Sequence, residues 1–431
     1  MRPHLLPWLL LAACTSPDDG GASDDDSARP ADTAGDDDTD NADDTASGDP
    51  CASLPPGVHT DSDDAGFLFT DGAVTPTVFA FCVGLDDAAL AGLAVDPETY
   101  TEATLTFGGE TWTVGLRLKG SPSGSFRTLD EKASFKIKMH EYDPDQRLYG
   151  RKRLTLNCMI QDGSMLSEHA SYFLFGAAGI PAPRHGYANV YVNGTLYGLY
   201  GVVETMDEEF LNRAFPDAPD GNLYEGGYGG DLYSGREDNF TVQETTGETE
   251  DTSDLTALID AVEDASVNGD ALGVLDAWFE RDAVLTMWAV ELVTGDADAY
   301  TTRANNFLLY HPTSDAPWVM IPWGPDQAFW RYGSATPVDV TGELDGRLAA
   351  LCRAQPACSI ALDDAIVDVL AVWEREDLRA YTATTAAGIA DDCFADPRSS
   401  WGSYGCLTAQ EETLAWIEAR PEVVRAQVAG E

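Results

Sequence analysis

Hydrophobic and polar positions divide the chain into a strand-rich first half and a helix-rich second half. Apolar and polar residues alternate as in half-buried strands over 103–107, 111–119, 134–139 and 153–157. A further pair of alternating segments, 188–192 and 196–203, is joined by Asn193-Gly194, a strong signal for a β-hairpin. From residue 251 the apolar spacing becomes helical, and it is helical again over 344–428. This order predicts an α+β fold with two lobes.

A hairpin with polar ends is predicted inside the helical half. Two short apolar runs, 307–310 and 318–323, flank a turn; Asp298 precedes them, Asn306 opens the first run and Asp326 follows the second. Magnesium-dependent phosphoryl transfer needs such a set of side chains. One carboxylate takes the proton of the hydroxyl group that receives the phosphate, while an amide and a second carboxylate hold the cation. Asp and Asn are also ordinary turn residues, so spacing alone favours a plain hairpin.

The start of the chain predicts export and a lipid anchor. An apolar run over 5–11 is far too short to span a bilayer, and small residues lead from it to Cys14. This pattern resembles a bacterial lipobox, in which the cysteine becomes the lipidated first residue of the mature protein. We therefore expect a signal peptide over 1–13 and attachment to a membrane through acyl chains on Cys14. The alternative is an unlipidated signal peptide or a chance cysteine. The residue after Cys14 is Thr15, not the Asp that in some bacteria retains lipoproteins at the inner membrane, and this favours the outer membrane or cell surface.

A strongly acidic segment follows the cysteine. Residues 15–50 contain thirteen Asp, one Arg and almost nothing apolar, so we expect a disordered tether over 14–55. A calcium-binding role for it lacks the required loop spacing.

The acidity continues beyond the tether, since the chain has 25 Lys and Arg against 74 Asp and Glu and a net charge of −49. This charge argues against nucleic acid as a partner, because such partners bind basic surfaces. It agrees with cationic or metal-bridged ligands, or with solubility in salt.

The eight cysteines predict disulfides in an exported chain. Cys158 lies in an apolar alternating segment and is expected to be a buried, unpaired thiol. No cysteine or histidine spacing indicates zinc. The shortest loops pair Cys51 with Cys82, Cys352 with Cys358, and Cys393 with Cys406.

Nine short motifs carry a family resemblance through their number and order. They are RLKGSPS at 117–123, KASFKIK at 132–138, DGSMLSE at 162–168, GIPAPR at 179–184, VYVNG at 190–194, YGLY at 197–200 followed by Glu204, GNLY at 221–224, NFLLY at 306–310 and IPW at 321–323. Over about residues 100–430 the chain resembles the spore-coat CotH kinase family, a branch of atypical protein kinase-like folds. The resemblance implies a kinase-like domain over 56–431, with an N-lobe of about 56–206 and a C-lobe of about 207–431.

The resemblance implies a nucleotide site in the N-lobe. The loop containing Lys119, Gly120 and Ser121 is expected to cover the phosphates of ATP with backbone amides. Lys136, favoured over Lys138, is expected to neutralise phosphate charge. With Lys119 and Lys132 these lysines form a basic cluster in an acidic chain, although a solvated strand face is the alternative.

A helix is predicted after the first four strands. Its apolar spacing extends over 164–177, and Ser164 is the expected N-cap. The resemblance implies that Glu168 on this helix orients Lys136, as the helix glutamate of kinases does.

The resemblance also assigns the hairpin residues. Asp298 is expected to be the catalytic carboxylate, and Asn306 or its neighbour Asn305 the amide ligand of Mg²⁺. The family usually shows Pro-Trp-Asp-x-Asp after the second strand, with the first Asp on the metal, but here Gly324 replaces it and only Asp326 remains. Either Asp326 takes over as metal ligand or the protein is a pseudokinase.

The sequence therefore predicts a membrane-anchored kinase with ATP and Mg²⁺ as cofactors and an exported protein as substrate, phosphorylated on Ser or Thr. The runner-up is the same fold with a compromised metal site, serving as a structural or binding module at the cell surface. A calcium-dependent acidic adhesin is a third and weaker reading. The sequence contains no signal for an oligomeric state.

Overall fold

The structure is a computed structural model that describes residues 48–430 apart from 59, 61–64, 71–73, 122–123, 228, 245–250, 313–315, 330–337 and 401. The predicted signal peptide, Cys14 and most of the predicted tether lie outside these residues. The chain from Gly48 onward forms one compact unit. Among the described helices, none combines the length and apolar character needed to cross a bilayer.

A closed seven-stranded barrel forms the first half of the unit. Its order is β1-β2-β3-β4-β5-β7-β6, and the parallel pairing of β1 with β6 closes it, whereas the other neighbours are antiparallel. Two helices interrupt it, α1 (Asp87–Val95) and α2 (Ser167–Ala177). The strands are β1 (Val78–Gly84), β2 (Thr101–Phe107), β3 (Glu110–Lys119), β4 (Ser134–Lys138), β5 (Arg153–Asn157), β6 (His185–Val192) and β7 (Thr195–Val203).

Alternation along the strands fills the barrel. On β4, Phe135 and Ile137 are fully buried in the barrel core, whereas Lys136 and Lys138 point to the other face, as the sequence predicts. Burying one such apolar side chain stabilises the fold by about 1.5–3 kcal/mol. The predicted Asn193-Gly194 turn is confirmed, since φ is 48° at Asn193 and 78° at Gly194. Positive φ at both positions is what the tight turn between β6 and β7 requires.

The second half combines a small sheet with helices. The sheet has the order β11-β10-β8-β9, and the predicted hairpin is its β10 and β11 pair. Helix α2 packs on three helices of this half, α6 (Arg281–Thr294), α9 (Pro356–Arg375) and α10 (Leu378–Ala395), and shares their apolar core. The elements are α3 (Glu208–Ala214), β8 (Asn222–Gly226), β9 (Phe240–Glu244), α4 (Ser253–Asn268), α5 (Ala271–Trp278), α6 (Arg281–Thr294), α7 (Tyr300–Arg303), β10 (Phe307–His311), β11 (Val319–Pro322), α8 (Arg347–Arg353), α9 (Pro356–Arg375), α10 (Leu378–Ala395) and α11 (Gly402–Ala429). The predicted α+β fold is confirmed.

The N-cap assigned to Ser164 is wrong. Helix α2 begins three residues later, at Ser167, because the buried carboxylate of Asp162 organises the preceding turn. This carboxylate accepts hydrogen bonds from the backbone N–H groups of Ser164 at 2.9 Å and of Ser167 at 2.7 Å. The backbone N–H of Ser167, which has no acceptor within the helix, is therefore bonded to a carboxylate five residues earlier in the chain.

The three predicted disulfides are confirmed, and Cys158 is a buried free thiol. The disulfide between Cys51 and Cys82 also bears on the end of the tether. Cys51 is fully buried, and its carbonyl accepts a hydrogen bond from Gly109 N–H at 2.7 Å. The chain therefore packs on the barrel at residue 51, before the predicted tether end at 55.

Candidate active site

A cleft of about 1260 Å³ separates the barrel strands β3, β4 and β5 from the small sheet and the loops beside it. Polar side chains from both halves line it. They include every predicted site residue within the described part of the chain: Lys119, Gly120, Ser121, Lys136, Glu168, Asp298, Asn306 and Asp326. The structure thus brings together residues that lie more than 200 positions apart in the sequence.

Asp298 is held by three side-chain amides. Its Oδ2 accepts hydrogen bonds from Asn305 Nδ2 at 3.2 Å, Asn306 Nδ2 at 3.1 Å and Gln327 Nε2 at 3.3 Å. These hydrogen bonds fix the orientation of the carboxylate. Its Oδ1 accepts no hydrogen bond from the described residues, so this oxygen is the one available to an acceptor hydroxyl.

Asn306 fits the role of metal-binding amide better than Asn305. Its Nδ2 donates to the Asp298 backbone oxygen at 3.0 Å as well as to Oδ2, which fixes the amide orientation. A Cβ built on Gly324 would lie 3.5 Å from Asn306 Oδ1. The amide oxygen of Asn306 therefore faces the position where the family carries its metal-binding Asp. Asn306 has a φ of 54°, an uncommon backbone conformation that is typical of functional sites.

Buried carboxylates crowd the base of the cleft. Burial raises the pKa of Glu168 to about 7 and that of Asp296 to about 7. Burial also raises the pKa of Asp326 well above its ordinary value, and the negative charges of Glu168 and Asp296 raise it further. Mutual repulsion among oxygen donors is relieved by a cation. Among the described residues, Glu168, Asp296 and Asp326 do not bring three carboxylate oxygens within 4.8 Å of one another. Asp326 and the amide oxygen of Asn306 line the cleft and are of the ligand type that Mg²⁺ prefers.

Glu168 forms no ion pair with a lysine among the described residues, and the lysine whose charge acts on its pKa is Lys119. Glu168 Oε2 accepts a hydrogen bond from Asn157 Nδ2 at 2.6 Å, and the positive charge of Lys119 counteracts the effect of burial on the pKa of Glu168. This differs from the predicted pairing with Lys136, and the strand register gives the reason. Lys119 pairs with Ser134, whose hydroxyl contacts Asn157 at 3.3 Å, whereas Lys136 lies one pleat further along β4.

Lys136 also points into the cleft, beside two other basic side chains. It stands directly opposite Arg117 in the sheet. Burial lowers its pKa to about 8; Glu225 opposes this shift, whereas Arg117 and Lys119 add to it. Three cations on neighbouring strands therefore form a positive wall of the cleft. A bound polyphosphate is the kind of ligand that such a wall suits.

The other two lysines of the predicted basic cluster do not belong to the cleft. Lys132 is buried and forms an ion pair with Asp396 at 2.6 Å. Its Nζ also donates to the backbone oxygen of Leu199 at 2.8 Å, so it joins the barrel to the loop after α10. Lys138 pairs with Glu141 at 2.7 Å. The predicted four-lysine cluster is therefore wrong in these two members.

The loop after β3 is held by its own hydrogen bonds. Gly120 has a φ of 133°, and a Cβ there would lie 2.6 Å from Phe126 Cα, so only glycine fits. The Ser121 amide donates to Ser125 Oγ at 2.9 Å. Both residues line the cleft as predicted, but in this conformation the Ser121 amide is occupied by the loop itself. Residues 122 and 123 of the predicted loop lie outside the described residues.

Sequence reasoning missed three residues that support the site. Asn157 holds Glu168, Gln327 holds Asp298, and the Tyr172 hydroxyl accepts a hydrogen bond from Gly324 N–H at 2.9 Å. Asn157 is the last residue of β5 and Gln327 follows Asp326, so their only sequence signal is a polar side chain beside a predicted element. Their partners lie far away in sequence.

Comparison with known proteins gives a family. A sequence model of the family described as "CotH kinase protein" matches residues 116–355, which is more than half of the chain. The crystal structure of a Helicobacter pylori proinflammatory kinase, CtkA, is similar with a TM-score of 0.29 and 10% sequence identity, over 77% of this chain and 92% of that chain. No curated protein matches the chain.

Proposed function

Because the chain belongs to the CotH kinase protein family, we propose that it is a surface-anchored protein kinase that transfers phosphate from ATP to Ser or Thr of an exported protein. The observation that carries this proposal is the convergence of Asp298, Asn306 and Asp326 with two lysines in one cleft. The reaction class, phosphoryl transfer, is inferred from the family. The cleft contains the side chains that this reaction needs.

Each residue has a chemical role in this proposal. Asp298 orients the acceptor hydroxyl and takes its proton as the hydroxyl oxygen bonds to the γ-phosphorus and ADP leaves. Lys119 and Lys136 neutralise phosphate oxygens on the barrel side. Asn306 and Asp326 would hold Mg²⁺, which supplies charge neutralisation between phosphate groups. Asn157 fixes the carboxylate of Glu168, whose negative charge lies within electrostatic reach of Lys119.

The pseudokinase alternative depends on Gly324. The family's first metal-binding carboxylate is missing there, and a lost ligand weakens metal and nucleotide binding together. The surroundings of Asp326 favour the kinase. Its carboxylate lines the same cleft as Asn306, so one acidic side chain remains two residues after the lost ligand.

The surface location is part of the same proposal and rests on Cys14. A lipidated Cys14 would fix the chain to a membrane, and an acidic tether would carry the kinase domain away from it. We propose the outer membrane or cell surface as the site of action, where an exported protein meets the cleft.

Nucleotide-dependent thermal stabilisation tests the proposal. A ligand that binds only the folded state at 100 times its Kd adds about 2.7 kcal/mol to the free energy of unfolding. We expect ATP to raise the melting temperature of the full chain, and more so with Mg²⁺ than without. Transfer of labelled phosphate to a Ser-containing acceptor then separates a kinase from a pseudokinase. No stabilisation by ATP under either condition would refute nucleotide binding.

A further inference from the structure

Basic side chains in this acidic chain are mostly neutralised by acidic partners. On the helical half, Arg281, Arg347, Arg353, Arg379 and Arg425 each form an ion pair with Asp or Glu. Arg398 and Arg420 form no ion pair among the described residues either, but Arg398 lies over the Tyr197 ring and Arg420 is buried with backbone oxygens as acceptors. Arg236 and Arg303 differ from all of these in their position. Both are exposed, both line the cleft, and neither forms an ion pair within the described part of the chain. Two such arginines in a chain of net charge −49 therefore need an explanation.

Arg236 and Arg303 lie at the same edge of the small sheet as Asp298. Strand β10 is antiparallel to β8 with Leu308 opposite Glu225, so the residues before β10 and the loop after β8 meet at one edge. Arg303 ends α7, three residues before Asn306. Arg236 belongs to the loop that joins β8 to β9. Both arginines therefore line the cleft from the small-sheet half, as Asp298 does, whereas Lys119 and Lys136 line it from the barrel strands.

The Arg236 guanidinium is held in place. It lies over the ring of Tyr233, 5.2 Å from the ring centroid, and its Nη1 donates to the Gly229 backbone oxygen at 3.0 Å. Its charge also acts on Asp231, but that carboxylate is buried and already accepts backbone N–H groups of Leu232 and Arg347. A planar guanidinium with a fixed direction is suited to bind a carboxylate through two parallel hydrogen bonds.

We propose that the acceptor is an acidic segment, in which the phosphorylated Ser or Thr is flanked by Asp or Glu that bind Arg236 and Arg303. This inference rests on the proposed kinase function and names its substrate class. Lys119 and Lys136 on the barrel strands serve the nucleotide, so the two arginines are not needed for phosphate neutralisation. Glu98 and Glu225 also line the cleft, and the charge of Glu225 acts on Lys136. Acidic residues more than about 8–10 Å away are screened at physiological salt.

Three peptides of equal length with one central Ser test the inference on the full chain with Mg²⁺ and ATP. Their flanking residues are Asp, Asn or Lys. We expect the Asp peptide to have the highest kcat/KM. Arg236→Gln and Arg303→Gln should each lower kcat/KM for the Asp peptide by about 2- to 5-fold, the range for an exposed ion pair. The loss should come from KM for the peptide, while KM for ATP stays unchanged.

Matched variants separate charge from structure. Arg281→Gln removes an exposed arginine outside the cleft and should leave all three peptides unaffected. Arg303→Lys keeps the charge and should retain most of the preference. The double variant R236E/R303E should reverse the order of the Asp and Lys peptides. Melting temperatures of all variants check that each one is folded.

Peptide binding, measured by fluorescence anisotropy, distinguishes failure of this inference from failure of the proposed function. Equal transfer to all three peptides would leave the kinase intact and overturn the acidic acceptor. Loss in Arg303→Gln that is equal for all peptides, or that appears in KM for ATP, would assign that arginine to the nucleotide and also overturn it. Arginine-dependent binding of the Asp peptide without transfer would support the acidic site and count against the kinase. No preferential binding of the Asp peptide would overturn the inference.

Discussion

Substitution of Gly324 by Asp tests whether the metal site is incomplete. A Cβ at this position would lie 3.5 Å from both Cγ and Oδ1 of Asn306, which is ordinary van der Waals contact. An added side chain therefore fits beside Asn306 without displacing it. The new carboxylate would stand next to the amide oxygen that is proposed to bind Mg²⁺, where the family usually carries its own Asp.

The expected effects on folding and on metal binding have opposite signs. The φ of Gly324 is 55°, and a side chain in this left-handed region costs about 1 kcal/mol, with Asp among the better tolerated residues. For a chain of this size that lowers the melting temperature by about 2 °C. An additional charged ligand should tighten Mg²⁺-dependent nucleotide binding by about 10-fold, which corresponds to about 1.4 kcal/mol. The variant should therefore be slightly less stable alone and more stabilised by Mg²⁺ and ATP.

Gly324→Asn and Gly324→Ala are the matched controls. Asn has a similar shape and tolerance of this backbone but no charge, and Ala introduces the strain alone. ATP turnover and the Mg²⁺-dependent thermal shift are measured for these variants and for Asp326→Ala. Activity gained only in Gly324→Asp identifies a rescued pseudokinase. Little change there, with loss in Asp326→Ala, identifies a kinase whose ligand has moved. If neither Gly324→Asp nor Asp326→Ala alters the Mg²⁺ dependence, the residues after β11 do not hold the cation and the reasoning is refuted.

Four further predictions follow from the structure. Asp298→Asn removes the base but keeps the amide contacts, so phosphate transfer should fall by about 100-fold or more while nucleotide binding persists in thermal shifts. Nucleotide affinity should decrease as the pH rises through about 8, where Lys136 loses its proton, and Lys136→Met should flatten that profile in titrations against pH. Lys132→Met leaves the buried Asp396 without its cation and should cost about 3–5 kcal/mol in urea unfolding, partly restored by adding Asp396→Asn. Cys14→Ser should release the full-length protein from membranes on fractionation, and unchanged association would remove the anchor.

Local sequence signals predicted those parts of the fold that depend on neighbouring residues. Alternation along 134–139 placed Phe135 and Ile137 in the core because a strand has a period of two. The Asn193-Gly194 turn followed from backbone preferences alone. The disulfides followed from short loops, as between Cys352 and Cys358. In each case the decisive interaction spans few residues.

Features that depend on distant pairing were not predictable from one sequence. The barrel closes through the parallel pairing of β1 with β6, which places Phe81 opposite Val190. Lys132 is committed to Asp396, which lies 264 residues away, so its charge is not available to the cleft. The assignment of Glu168 to Lys119 depends on strand register, and a shift of one pleat would change it. The family motifs identified the cleft residues, but not these pairings.

The positive wall of the cleft lowers the stability of the free protein. Arg117 stands directly opposite Lys136, and like charges in this register destabilise a sheet. Burial, together with the charges of Arg117 and Lys119, lowers the pKa of Lys136 from 10.5 to about 8, which corresponds to about 3 kcal/mol against the protonated form in the folded state. The unfolded chain binds this proton more tightly, so stability should rise as the pH increases from about 8 towards 10.5. In the proposed role, a bound phosphate would offset this cost, so Lys136→Met should stabilise the free protein while it weakens ATP binding. A purely structural lysine would lose stability on this substitution.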